Sequence, residues 1–130
     1  MKLENQVCSL ELSKRLKELG VKQKSYFIWA NNNLIPRISM MELDKHELFE
    51  THICAAFTVA ELGEMLPASL SNEDILFISK GPDFYNAYYN HNIYGLSYYG
   101  FICKYTTFAN CLADLLLSLL ENKLMELPNE

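Results

Sequence analysis

The sequence predicts an α+β domain, a mainly antiparallel sheet covered by amphipathic helices in the order α-β-β-α-β-β-β-α. Three observations carry this. Segments near the two ends repeat leucines at spacings of three and four, the period of a helix with one apolar face. Between them lie short runs dense in aromatic and β-branched residues, such as KSYFIWA and DILFISK, punctuated by Asn, Gly and Pro. Turn-length gaps separate neighbouring runs, so hairpins and antiparallel pairing are expected. Amphipathic helices must then bury their apolar faces on the sheet. The 130 residues read as one domain, 1–130, large enough to fold without a metal or disulfide.

The first helix is SLELSKRLKELG, residues 9–20. Ser9 suits the N-cap, where its hydroxyl accepts from an orphan backbone N–H. Leu12, Leu16 and Leu19 form the stripe, and Glu11 stands four residues before Arg15, the favourable helical order. Gly20 supplies a left-handed C′ residue, which brings Val21 against Leu16 as in a Schellman motif. KSYFIWA, 24–30, and LIPRISM, 34–40, read as strands joined by an asparagine turn. Pro36 cannot donate to a ladder, which puts the second strand at an edge. Residues 41–56 are rich in Glu and Asp and read as an irregular connection.

FTVAELGEML, residues 57–66, carries Thr58 and Glu61 at capping-box spacing, with Phe57 and Leu62 placed as a hydrophobic staple. Gly63 costs about 1 kcal/mol in a helix interior, and so short a helix must dock to persist. DILFISK, 74–80, is a strand. FYNAYY, 84–89, and IYGLSYYGFI, 93–102, form a hairpin around Asn90, His91 and Asn92. The last helix runs from Thr107 as N-cap to about Met125. Its stripe is wide: Phe108, Cys111, Leu112, Leu115, Leu116, Leu119 and Leu120, with Leu117 beyond it. Such a helix is covered on more than one side. Pro128 is expected to stop it.

The formal net charge is −5, which gives no general attraction to nucleic acid or anionic membrane. Charge is uneven, however. Residues 1–24 hold six basic and three acidic side chains, net +3, and the remainder is net −8. The N-terminal residues lack a signal-like apolar run, and a cytoplasmic protein is expected. Cys8, Cys54, Cys103 and Cys111 are widely spaced and read as buried thiols.

Three stretches, CSLELSKRLKELGVKQKSYFIW, AFTVAELGEMLP and ADLLLSLLENKL, in this order and spacing resemble a family of small uncharacterised proteins encoded by bacteriophages, prophages and other mobile elements of bacteria. They cover about 45 of the 130 residues. The resemblance implies a bacterial or phage origin, a cytosolic location and an accessory role. The family has no assigned activity, so no catalytic residue carries over. This chain departs from the family pattern between Asn31 and Ala55 and in its tyrosine-rich stretch.

Among candidate chemistries, His46, His52 and Cys54 lie close in sequence with Glu47 and Glu50 between them. They match no zinc pattern, since HExxH, CxxC and a fourth ligand are missing. A Cys54 nucleophile with His52 as base would need both on one side of a strand. SKGPD, 79–83, lacks the rest of a phosphate loop. No cofactor, metal or catalytic residue is therefore assigned. Lys14, Arg15, Lys17, Lys22 and Lys24, near Tyr26, Phe27 and Trp29, offer a nucleic-acid alternative of charge and stacking. The anomaly is tyrosine: seven of eight fall between Tyr85 and Tyr105. Alternation turns Tyr85 and Tyr89 to one face and Tyr88 to the other, and likewise sets Tyr94 and Tyr98 against Tyr99. Both faces of this hairpin are aromatic, and only one can meet the helices. Tyr85, Tyr88, Tyr89, Tyr94, Tyr98 and Tyr99 are thus the expected contact residues of a non-enzymatic interaction protein, for a protein partner or a second copy.

Overall fold

A computed structural model describes residues 2–38, 53–70, 74–91 and 97–127, without the side chains of 74 and 90–104. Within these residues the chain forms three helices, α1 (Leu10–Glu18), α2 (Val59–Met65) and α3 (Phe108–Glu121). The strands are β1 (Phe27–Ala30), β2 (Asn33–Pro36), β3 (Ile53–Ala56), β4 (Asp74–Lys80), β5 (Tyr85–His91) and β6 (Ser97–Tyr105). All pairing is antiparallel, in two three-stranded sheets of order β2-β1-β3 and β4-β5-β6. The class is the expected α+β. The expected order gains one element, β3, where an irregular connection over 41–56 was foreseen; the rest of that connection, 41–52, and the last two residues of the expected strand 34–40 lie outside the described residues. ICAA has no alternation, being buried at three successive positions. It becomes a strand because β1 offers a free edge, with Trp29 opposite Cys54 and Phe27 opposite Ala56.

α3 occupies the centre. It packs on β5 and β6 on one side and against α1 and α2 on the other. Ala109, Cys111, Leu112, Ala113, Leu115, Leu116, Leu117 and Leu119 are all buried, so the position of Leu117 outside the main stripe is explained. On its far side α1 meets β3. The segment before α1 fastens these layers together. The Cys8 N–H donates to the Phe57 carbonyl at 3.0 Å, and its own carbonyl accepts from the Trp29 indole at 3.0 Å. The Ser9 N–H donates to Asn110 Oδ1 on α3 at 2.7 Å. Every one of these groups would otherwise be a poorly solvated donor or acceptor.

Local signals shape the ends. Ser9, Thr58 and Thr107 each cap a helix with the side-chain oxygen. Thr58 and Glu61 form the full reciprocal box. Gly20 has φ +89°, and the Val21 N–H reaches the Leu16 carbonyl at 3.1 Å, completing the Schellman geometry. Arg15 does not pair with Glu11; it reaches Glu121 on α3 at 2.6 Å. α3 ends earlier than expected. Lys123 turns left-handed at φ 57°, and the Leu124 N–H closes on the Leu119 carbonyl at 2.9 Å. Pro128, the expected stop, lies outside the described residues. Asn31 and Asn32 both have positive φ, the requirement of a two-residue type I′ hairpin turn. Pro36 lies in β2, an edge strand as foreseen.

Gly20 and Gly63 have opposite meanings. A Cβ on Gly63 meets nothing within 4 Å, and its φ is not left-handed. Gly63→Ala should therefore raise stability by about 0.5–1 kcal/mol through helix propensity. Gly20→Ala should lower it by about 1–2 kcal/mol, because a side chain is strained at that φ. Urea unfolding of the two variants measures both, and the opposite signs are the critical result.

Candidate interaction surface

Alternation along β5 divides its tyrosines between the two faces of the β4-β5-β6 sheet. Tyr89 and Ala87 face α3 and are sealed, at 1% and 0% exposure. The Tyr89 hydroxyl, out of water's reach, donates to the Pro67 carbonyl at 2.5 Å. Burial raises its pKa. Tyr85 is half-buried on the same side, edge-on to Phe108 with centroids 5.3 Å apart, with the Lys80 ammonium 5.8 Å from its ring centre. Two of the expected contact residues thus belong largely to the core face, and Tyr89 holds the sheet to the chain that follows α2.

The opposite face is where apolar surface meets solvent. Tyr88 lies there, half-buried, its ring nearly parallel to Phe77 across the strand pair at 6.0 Å between centroids. Phe77 is 38% exposed and Ile75, two residues earlier on the same face, is 44% exposed. Ile78 is 42% exposed although it stands opposite buried Ala87, because α3 lies over β5 and β6 and leaves the edge strand uncovered. The β4 edge itself is partly closed, since the Leu76 N–H donates to the Ala68 carbonyl at 3.2 Å. In register, Tyr99 stands opposite Tyr89 and Tyr98 opposite Asn90, and the pairing slips between Ala87 and Tyr89. The side chains of Tyr98 and Tyr99, and all of Tyr94, lie outside the description. The alternation of DILFISK carries the signal that the tyrosines alone do not: Ile75 and Phe77 share a strand face with Tyr88.

The five cations of the nucleic-acid alternative fall in three surroundings. Lys17 Nζ donates to the Ile53 carbonyl at 2.7 Å, and both Lys17 and Lys14 act on Cys54. Arg15 is engaged with Glu121. Lys22 and Lys24 line a separate groove beside Glu61 and Glu64.

Cys54 is 4% exposed in β3. Burial lifts its pKa, and Lys17 and Lys14 oppose this only in part. A thiolate nucleophile requires the reverse balance. His46 and His52 lie outside the described residues. Among the described residues no group of three or more His, Cys, Asp and Glu could hold a metal ion, and no helix is long and apolar enough to cross a membrane. Cys8 and Cys111 are likewise buried free thiols; the Cys103 side chain is outside the description. Burial and, secondarily, Asp114 push Cys111 up to about 11, and burial raises Cys8 despite its hydrogen bond with Ser13.

Comparison with protein-family models, with curated proteins and with solved structures finds no match to this chain.

The buried thiols set a pH dependence. The unfolded chain releases the Cys111 proton near its ordinary value of 9.0, whereas the fold holds it to about 11. In that window the native state binds more protons, so stability falls as pH rises. The contribution is intact below pH 9 and is lost progressively toward pH 11. Urea titrations across this range should show the decline, and Cys111→Ala should make it shallower, leaving a slope to which Cys8, Cys54 and Tyr89 contribute.

Proposed function

We propose that this chain is a non-enzymatic protein-interaction module, an accessory protein of the phage or mobile-element type that its three motif stretches resemble. Its contact surface is the face of the β4-β5-β6 sheet turned away from α3. The observation that carries this reading is the exposed pair Ile75 and Phe77, with Phe77 stacked on Tyr88, on a face the core does not use. Aromatic side chains have few rotatable bonds and lose little entropy when covered, which is why such residues anchor interfaces. Nucleic-acid binding finds less support, because its five cations are dispersed and two are spent on Glu121 and the Ile53 carbonyl.

The experiment combines light scattering after size exclusion with site-specific photo-crosslinking from position 77 in a bacterial lysate. The expected outcome is either a concentration-dependent rise in mass or a crosslink to one protein. Phe77→Lys should abolish it without changing the circular dichroism spectrum, because position 77 is on the surface. A protein that stays monomeric and yields no crosslink from position 77 overturns the proposal. So does an association that Phe77→Lys leaves intact.

A further inference from the structure

A groove of about 1010 Å³ runs between the chain leaving α1, the end of β2, the side of α2 and the residues that follow α3. It lies away from the β4-β5 face, and neither surface depends on the other. Its floor is apolar: Val21, Phe57 and Leu116 are buried, and Met65, Met125 and Leu127 are partly buried. At its lip stand Tyr26 and Ile38, 75% and 77% exposed, the two most exposed large apolar residues among those described. Tyr26 is held there by its main chain. The Tyr26 N–H donates to Glu61 Oε2 at 3.2 Å, and its carbonyl accepts from the Arg37 N–H at 2.8 Å. The lip is therefore presented by a fixed main chain.

The charges along the groove divide into spent and available. Arg37 uses its guanidinium on the Ser25 and Gln23 carbonyls at 2.6 and 2.5 Å. Glu61 uses both oxygens, one on the Thr58 N–H and the other on Tyr26. Lys24 on the loop wall and Glu64 on the helix wall are exposed and, among the described residues, make no hydrogen bond or ion pair. Lys22, exposed on the same wall, is already engaged by another group of this chain and adds its charge to that side. An apolar trough flanked by cations on one wall and a carboxylate on the other is complementary to a particular object.

We propose that the groove docks an amphipathic segment of a partner protein. Its apolar face would lie on Val21, Phe57, Met65 and Leu116, its acidic flank beside Lys22 and Lys24, and a basic residue beside Glu64. Three features select this occupant. The volume lies at the upper limit for small-molecule pockets, which run to roughly 1,000 Å³. A fatty acid or other anionic amphiphile would match the lysines and leave Glu64 facing its apolar chain. Met65 and Met125 are flexible side chains that re-shape around an apolar anchor, as in grooves that receive helices.

Selection of a random peptide library displayed on phage against the intact chain tests this. Enriched sequences should share apolar residues at i, i+3 or i+4 and i+7, with acidic residues on one flank and a basic residue on the other. Fluorescence anisotropy of the enriched peptide should show saturable binding that weakens about tenfold or more with Tyr26→Ala. It should weaken also with Lys24→Glu, and a peptide with its acidic flank changed to lysine should restore binding to that variant. Both positions are exposed, and circular dichroism verifies that the variants fold. The proposal is overturned if enriched peptides share no such pattern, if binding survives both Tyr26→Ala and Lys24→Glu, or if palmitate displaces the peptide at lower concentration. Loss of binding with Phe77→Lys but not with Tyr26→Ala would place the peptide on the β4-β5 face and overturn it as well.

Discussion

A helix with leucines at 112, 115, 116, 117, 119 and 120 has almost no side to give to water. α3 buries eight of its residues, at a gain on the order of 1.5–3 kcal/mol for each large side chain taken out of solvent. No single sheet or helix covers a cylinder, so covering α3 takes β5 and β6 from one direction and α1 and α2 from another. The remaining elements are placed by that requirement. β1-β3 lie behind α1, and β4 extends past the helix as an uncovered margin. The exposure of Ile78 on the side of the sheet that faces α3 follows from the same geometry: a helix lies across two strands more readily than three.

Glu61 shows how a local signal acquires a second role in tertiary structure. Within α2 it is the far half of a capping box, with one oxygen on the Thr58 N–H at 3.0 Å. Its other oxygen takes the N–H of Tyr26, which is remote in sequence. The same carboxylate thus ends a helix and fixes the entry to β1. A seven-residue helix with a glycine in it is marginal alone. It is held by the box, by buried Leu62, and by this bond to the neighbouring sheet. The dense punctuation of FTVAELGEML is structural, and the wall it sets upright carries Glu64 and Met65 to the edge of a groove.

The elements legible in the sequence were those whose signals are local. Ser9, Gly20, the two asparagines at φ 50° and 68°, the Thr58–Glu61 box and Thr107 each specify a backbone conformation within a few residues. DILFISK was legible as a strand to its exact ends. β3 was not, because Ile53–Ala56 are small or unbranched for the most part and extend only by pairing with β1. The division into two sheets was hidden for a related reason. It depends on α3 standing between them, which no run of residues announces. Arg15 chose Glu121 over Glu11 across a helix pair whose juxtaposition is likewise non-local.

The surfaces divide along the same line. The tyrosine alternation was correct where side chains are described, but alternation cannot tell which face a helix will cover. α3 takes the side of Tyr85 and Tyr89, and this turns a row of similar residues into two kinds. Tyr89 with its hydroxyl on Pro67 is a strut between the sheet and the chain leaving α2. Tyr88 with Phe77 is surface. The groove was still less legible, since its floor gathers Val21, Phe57, Leu116 and Met125 from four places in the chain. Each is an unremarkable apolar residue in its own segment. What makes them a site is that Tyr26 is held at its lip by bonds to its main-chain N–H and carbonyl, while the nearest charges, Arg37 and Glu61, are already satisfied within the fold. The polar groups left over, Lys24 and Glu64, are the ones a partner would have to answer.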